Sequence, residues 1–117
     1  MLALSSSNRF HLYLHPTDMR KSFDGLSGLV TEFSNSKPLS GDVFVFVNRR
    51  RDKIKLLQWQ GMSFTLYYKR LEEGTFEMPV YDSKADNIEL DYTQMVMLID
   101  GLSIKNIKKR KRYNPNF

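Results

Sequence analysis

The run Val43-Phe44-Val45-Phe46-Val47-Asn48-Arg49-Arg50-Arg51-Asp52-Lys53-Ile54-Lys55-Leu56-Leu57-Gln58-Trp59 decides how this chain folds. It opens with five consecutive Val and Phe residues and closes with a second β-rich run, residues 54–59. Two such runs around a short polar connection, residues 48–53, read as a β-hairpin. Downstream, Gln60-Gly61-Met62 reads as a turn and residues 64–71 as the next strand. Glu72-Glu73-Gly74-Thr75 then turns into a short strand, Phe76-Glu77-Met78, stopped by Pro79. The result is an antiparallel meander of three or four strands.

Upstream, residues 9–15 alternate. Phe10, Leu12 and Leu14 point one way, and Arg9, His11, Tyr13 and His15 the other, as in a strand with one polar face. The two His share that face, but no Cys or carboxylate pair completes a ligand set, so no metal is expected. Pro16 ends the strand, and Thr17 or Asp18 can cap a following helix. Met19, Phe23, Leu26, Val30 and Phe33 recur at helical spacing, with Leu29 widening the stripe. Gly25 and Gly28 inside it read as sites of close packing against a sheet. They form no phosphate loop, because no Lys-Ser/Thr pair follows. Near the other end, residues 81–87 read as a loop and Ile88-Glu89-Leu90-Asp91-Tyr92 as an alternating strand. Thr93 then caps a short helix, residues 94–100, with Gly101 as its stop.

The expected fold is α+β: an antiparallel meander sheet of five to six strands, two helices on one face, and a disordered basic C-terminal tail. Residues 1–8 read as a flexible N-terminus, 9–104 as one domain and 105–117 as the tail. A length of 117 residues fits one domain, and 41% hydrophobic content with 8 Phe, 6 Tyr and 1 Trp can fill one core. The absence of Cys excludes a disulfide framework, a thiolate zinc site and a thiol nucleophile. No apolar run reaches the roughly 18–20 residues of a membrane span, and no basic, apolar leader opens the chain. A cytoplasmic protein with no membrane partner is expected.

The formal charge of +5 conceals a segregated pattern. Residues 1–70 carry 11 basic and 5 acidic side chains, residues 71–104 one basic and eight acidic, and residues 105–117 six basic and none acidic. The net charges are therefore +6, −7 and +6. In the tail, Lys105, Lys108, Lys109, Arg110, Lys111 and Arg112 form an arm suited to phosphates. In the hairpin connection, Arg49, Arg50, Arg51, Lys53 and Lys55 oppose only Asp52. Arg is the residue type suited to bidentate phosphate contact. Trp59, Tyr67 and Tyr68 interleave aromatics with these cations, a mix that suits base stacking, although Trp59 reads first as core or half-buried. Arg20 and Lys21 lie where a helix dipole disfavours cations, which marks them as further contacts together with Lys69 and Arg70.

No His-Glu-x-x-His, Gly-x-Ser-x-Gly or phosphate-loop pattern is present. Carboxylates for a small metal-dependent nuclease would have to come from Asp18, Asp24 and Asp42, or from Asp82 and Asp86, with Asp24 otherwise pairing with Arg20 along the helix.

The ordered motifs carry a resemblance. Pro16-Thr17-Asp18-Met19-Arg20-Lys21-Ser22-Phe23-Asp24-Gly25-Leu26 resembles the N-terminal signature of the accessory proteins of IS66-type insertion sequences, the TnpB or second-open-reading-frame family. Ser40-Gly41-Asp42-Val43-Phe44-Val45-Phe46 and the Arg run resemble that family's hairpin. Lys55-Leu56-Leu57-Gln58-Trp59 with Gly61 is similar to its second strand, and Tyr67-Tyr68-Lys69-Arg70-Leu71-Glu72-Glu73-Gly74-Thr75-Phe76 to its third strand and turn. Residues 94–102 correspond to its closing helix. The likeness covers residues 9–104, with departures at Ser22, where Gly is usual, at Gln58, where Trp or another apolar residue is common, and in the dense basic tail.

The resemblance implies a non-catalytic factor encoded beside a separate DDE-type transposase, with no catalytic residues and no cofactor to carry over. It excludes the large RNA-guided nuclease that shares the TnpB label, for which this chain is far too short. The resulting expectation is an accessory protein of DNA transposition that binds element DNA through the cations above, its acidic stretch meeting the transposase. Contact with about five phosphates predicts a log–log salt slope of about −4.5 on duplex DNA. The alternative is an interaction module that binds the transposase and touches no DNA. The sequence leaves the oligomeric state open.

Overall fold

Strand β2 (Val43–Val47) is buried at all five positions, so both faces of the sheet are covered where it runs. The computed structural model describes residues 4–34, 37–80 and 84–100. β2 pairs antiparallel with β3 (Lys53–Trp59), matching Val43 to Gln58 and Val47 to Ile54, and β3 pairs antiparallel with β4 (Phe64–Arg70). The hairpin and the strand after it therefore form as the sequence predicts. The other flank differs. β1 (Phe10–Tyr13) runs parallel to β2, and β5 (Asn87–Leu90) adds antiparallel to β1, giving the order β4-β3-β2-β1-β5. The sheet is thus mixed and five-stranded. A parallel neighbour needs a crossover, and α1 (Phe23–Phe33) supplies it between β1 and β2.

The helices lie on opposite faces, which corrects the expectation of two helices on one face. Leu26, Val30 and Phe33 of α1 pack with Phe44, Phe46 and Leu57 on one side. Met95 and Leu98 of α2 (Tyr92–Ile99) pack with Phe10, Leu12, Val43, Val45, Val47, Ile54 and Leu56 on the other. The β1 face that alternation marks as polar is covered in part: Tyr13 stacks on Phe33 of α1 at 4.8 Å between centroids, and His11 on Phe44 of β2 at 5.1 Å. Both side chains carry flat rings that pack as apolar surface.

Phe76-Glu77-Met78 is not a strand. Phe76 is nonetheless fully buried in the α2-side core, and its backbone N–H donates to the Arg51 carbonyl at 2.6 Å. One buried Phe contributes about 1.5–3 kcal/mol, enough to fix this segment without a ladder. At α2, the cap is Asp91 rather than Thr93. Its side chain accepts from the Gln94 N–H at 2.7 Å while Gln94 Oε1 accepts from the Asp91 N–H at 2.9 Å, a closed capping box. The predicted stop, Gly101, lies outside the described residues, as does the basic tail.

Two readings of α1 also change. Gly28 is exposed, and a Cβ there would meet nothing within 4 Å, so it makes no close approach to the sheet. The helix starts at Phe23 behind Ser22, not at Met19, and Phe23 is 44% exposed. Among the described residues no helix is long and apolar enough to cross a membrane.

Candidate functional site

Asn48 shapes the hairpin turn that presents the arginines. Its carbonyl accepts from the Arg51 N–H at 3.0 Å, its Oδ1 accepts from the N–H groups of Asp52 and Lys53, and its Nδ2 donates to Asp52 at 2.7 Å. That last bond leads the causes that lower the Asp52 pKa. Arg51 closes the turn in the left-handed region at φ 60, a conformation costing a non-glycine residue about 1–2 kcal/mol. Sequence reading overlooked Asn48, although Asn at a strand end is a turn signal with this mechanism.

Across from the turn lies the segment between β1 and α1. The Thr17 N–H donates to the Val47 carbonyl at 2.9 Å, fixing this segment to the end of β2. Asp18 accepts from the Arg20 backbone N–H and side chain, closest at 2.7 Å, and these bonds hold its carboxyl down at about 2. Arg20 therefore pairs with Asp18 and not with Asp24 along a helix.

Lys55 ties the segment to the sheet. Only 6% exposed, it projects from β3 toward α1 and donates from Nζ to the carbonyls of Met19 and Lys21, each at 2.7 Å. A buried ammonium needs such acceptors. In a longer α1 those carbonyls would bond within the helix. Here they accept from Lys55, in keeping with a helix that starts only at Phe23. This corrects the reading of Lys55 as a surface phosphate contact. Its Nζ also lies 4.7 Å from the centroid of the Tyr68 ring.

Pro16, Thr17, Asp18, Met19 and Arg20 on one side, and Asn48, Arg49, Arg50, Lys53 and Tyr68 on the other, enclose an open cleft of about 600 Å³. This lies within the roughly 300–1,000 Å³ typical of ligand sites. Four cations against one carboxylate leave its lining at +3. Among the described residues, no carboxylate lies within 4.0 Å of the Arg49, Arg50 or Lys53 charge. Arg49 also lines a smaller adjoining hollow of about 190 Å³ with Arg51, His15 and Tyr13.

Other predicted contacts sit elsewhere. Lys69 lies on the α2 side of the sheet, where its Nζ donates to the Ile99 carbonyl at 2.8 Å. Arg70, opposite Lys53 in register, pairs with Glu72 at 2.8 Å. Lys21 is exposed but does not line the cleft. Lys105, Lys108, Lys109, Arg110, Lys111 and Arg112 lie outside the described residues. Trp59 is half-buried against Phe64 at 4.8 Å.

Of the carboxylates offered for metal chemistry, Asp18, Asp42 and Asp86 are each engaged by a neighbouring cation or His. Asp42 is buried at the foot of β2, where it accepts from Arg9 Nε at 2.9 Å, Arg9 Nη2 at 2.6 Å and the Leu39 N–H at 2.9 Å. Burial alone would raise its pKa, but these bonds outweigh it and the net shift is downward. Asp86 meets His15 at 2.7 Å. Asp82 lies outside the described residues. Among the described residues, no three His, Asp or Glu converge as a metal site. His11 Nε2 is buried without a hydrogen-bond partner, 3.8 Å from Asp42, and burial lowers its pKa.

Comparison with known proteins bears on the same segments. The sequence model of the family described as IS66 Orf2 like protein matches residues 8–109, which take in both walls of the cleft. Two uncharacterized proteins of Sinorhizobium fredii (strain NBRC 101917 / NGR234) are similar over most of their length. One, y4jC, is 29% identical over 115 residues, 98% of this chain and 97% of its own; the other, y4hO, is 31% identical over 102 residues, 87% of each. No solved structure matches. With its motifs in order and the family match spanning nearly all of the domain, the chain belongs to the IS66 Orf2-like family of insertion-sequence accessory proteins.

Proposed function

We propose that this protein assists DNA transposition in the cytoplasm by holding element DNA in the cleft between the 16–20 segment and the arginine turn, while a DDE-type transposase encoded alongside carries the chemistry. The observation that supports this reading is the convergence of Arg20, Arg49, Arg50 and Lys53 on one open cleft from two distant stretches of chain. Guanidinium groups match phosphate geometry, and each neutralised phosphate releases a counterion. Such contacts position a backbone without reading sequence. The basic tail adds further phosphate contacts, and the acidic stretch 71–104, repelled by DNA, faces the transposase.

The test is a salt titration of the full chain on duplex DNA by fluorescence anisotropy. Binding should weaken as salt rises from 50 to 200 mM, and the Arg49→Ala/Arg50→Ala variant should flatten the log–log slope by about 1.8. An unchanged slope would exclude the cleft as the contact. Absence of binding at either salt, with transposase co-purifying from nuclease-treated extract, would leave the protein-only module as the function.

A further inference from the structure

Tyr68 is out of place for a residue that merely closes the sheet. It stands on the edge strand β4, lines the cationic cleft, and remains 51% exposed. Its register partner on β3 is Lys55, whose ammonium lies 4.7 Å from its ring centroid. That ammonium is itself fixed by the two carbonyls of the 16–22 segment. One face of the ring is thus backed by an anchored cation, while the side chain as a whole stays half exposed where it lines the cleft. Arg49, Arg50, Lys53 and Arg20 share the same cleft. The cleft therefore offers charge for phosphates and a braced aromatic plane in one space.

Within a duplex, base faces are covered by their neighbours in the stack. Away from the ends of a duplex, only an unpaired or extruded base shows a face to a protein ring. We infer that the ligand of this cleft is a single-stranded or unpaired nucleic-acid segment, with one base stacked on Tyr68 and the flanking phosphates held by Arg49, Arg50, Lys53 and Arg20. This rests on the phosphate-binding reading above and makes it more specific. A cation beneath the ring draws electron density away from the opposite face, which favours stacking with the electron-rich face of a base. Lys55 is on this account a positioning residue: it touches no nucleic acid, and it sets both the ring and the opposite wall.

Three probes of equal length separate the two layers: a single-stranded oligonucleotide, the same strand carrying abasic sites throughout its centre, and the blunt duplex. They are titrated by anisotropy against the full chain and its variants. Tyr68→Ala should weaken binding of the base-containing single strand by about 5- to 150-fold, the range expected for one lost base stack. It should leave the abasic strand and the duplex within twofold, and Tyr68→Phe should restore the loss. The Arg49→Ala/Arg50→Ala variant should weaken all three probes. Equal effects of Tyr68→Ala on all probes, or none, would overturn the stacking inference while leaving phosphate binding intact. Arginine variants without effect on any probe would overturn the phosphate reading itself. Urea unfolding of Tyr68→Ala and Tyr68→Phe shows whether a loss reflects the ring or the fold.

Discussion

Replacing Lys55 by Met separates a residue that builds the cleft from one that touches a phosphate. The methionine side chain keeps much of the lysine stem's packing and removes the ammonium. Two charge-assisted hydrogen bonds of 2.7 Å, to Met19 and Lys21, disappear. At about 1.5 kcal/mol each, their loss costs about 3 kcal/mol. Relief from desolvating the charge offsets about 1 kcal/mol, and the freed carbonyls lie near the surface where water can reach them. The net destabilisation is about 2 kcal/mol, a drop of about 1 M in urea midpoint for a domain of this size. The chain stays folded, since domains hold about 5–15 kcal/mol. In the binding assay, Lys55→Met should lower affinity at every salt concentration with nearly parallel log–log lines, because no phosphate contact is lost. Lys53→Gln, which removes a charge from the lining itself, should change the slope by about 0.7–0.9 with little effect on stability. A Lys55→Met variant that keeps wild-type stability yet flattens the slope like Lys53→Gln would refute this account and return Lys55 to the phosphate contacts.

Two further outcomes follow from the fold. Gly28→Ala should stabilise the protein by about 1 kcal/mol in urea unfolding, because the position is helical, exposed and open to a Cβ; a loss of stability would place a contact there that the structure lacks. His11 is held neutral by burial, faced by Asp42, Arg9 and Glu89. Because its folded pKa lies below the unfolded value of about 6.5, the unfolded chain takes up the proton first. Stability from this residue is therefore full above pH 6.5 and declines as pH falls toward the folded pKa. The midpoint of urea unfolding measured from pH 7.5 to 5 should fall less steeply in His11→Phe than in wild type, and equal slopes would remove His11 as the cause.

What the sequence disclosed, and what it withheld, divides along the range of the interactions. The hairpin around Arg49 to Arg51 is local: alternating β-formers and a polar corner are adjacent in sequence, and the turn forms where they put it. The late start of α1 leaves the Met19 and Lys21 carbonyls to Lys55, more than 30 residues downstream, and the apolar spacing of Met19 and Phe23 carries no trace of that tie. The placement of α1 and α2 on opposite faces was hidden for a different reason. Tyr13 and His11 look polar in a binary pattern, yet Tyr13 packs against Phe33 of α1 and His11 stacks on Phe44 of β2. Phe76 was recognisable as apolar, but burial without pairing has no periodicity to betray it. The capping box at Asp91 and Gln94 was readable, three residues apart, and Thr93 drew the assignment by lying closer to the apolar run. At the cleft, the cationic hairpin was legible and its opposite wall was not, since Thr17 meets Val47 only through the parallel crossover.

That crossover also dictates an order of assembly. β2, β3 and β4 join neighbours through short turns and can pair as soon as they are synthesised, whereas β1 needs β2 on one side and β5, from the far end of the chain, on the other. Loops of that span close slowly. Until residues 87–90 emerge, β1 is an unprotected border with open hydrogen-bonding groups, the feature that invites strand exchange between chains. A nascent chain of this topology therefore depends on β5 to seal β1.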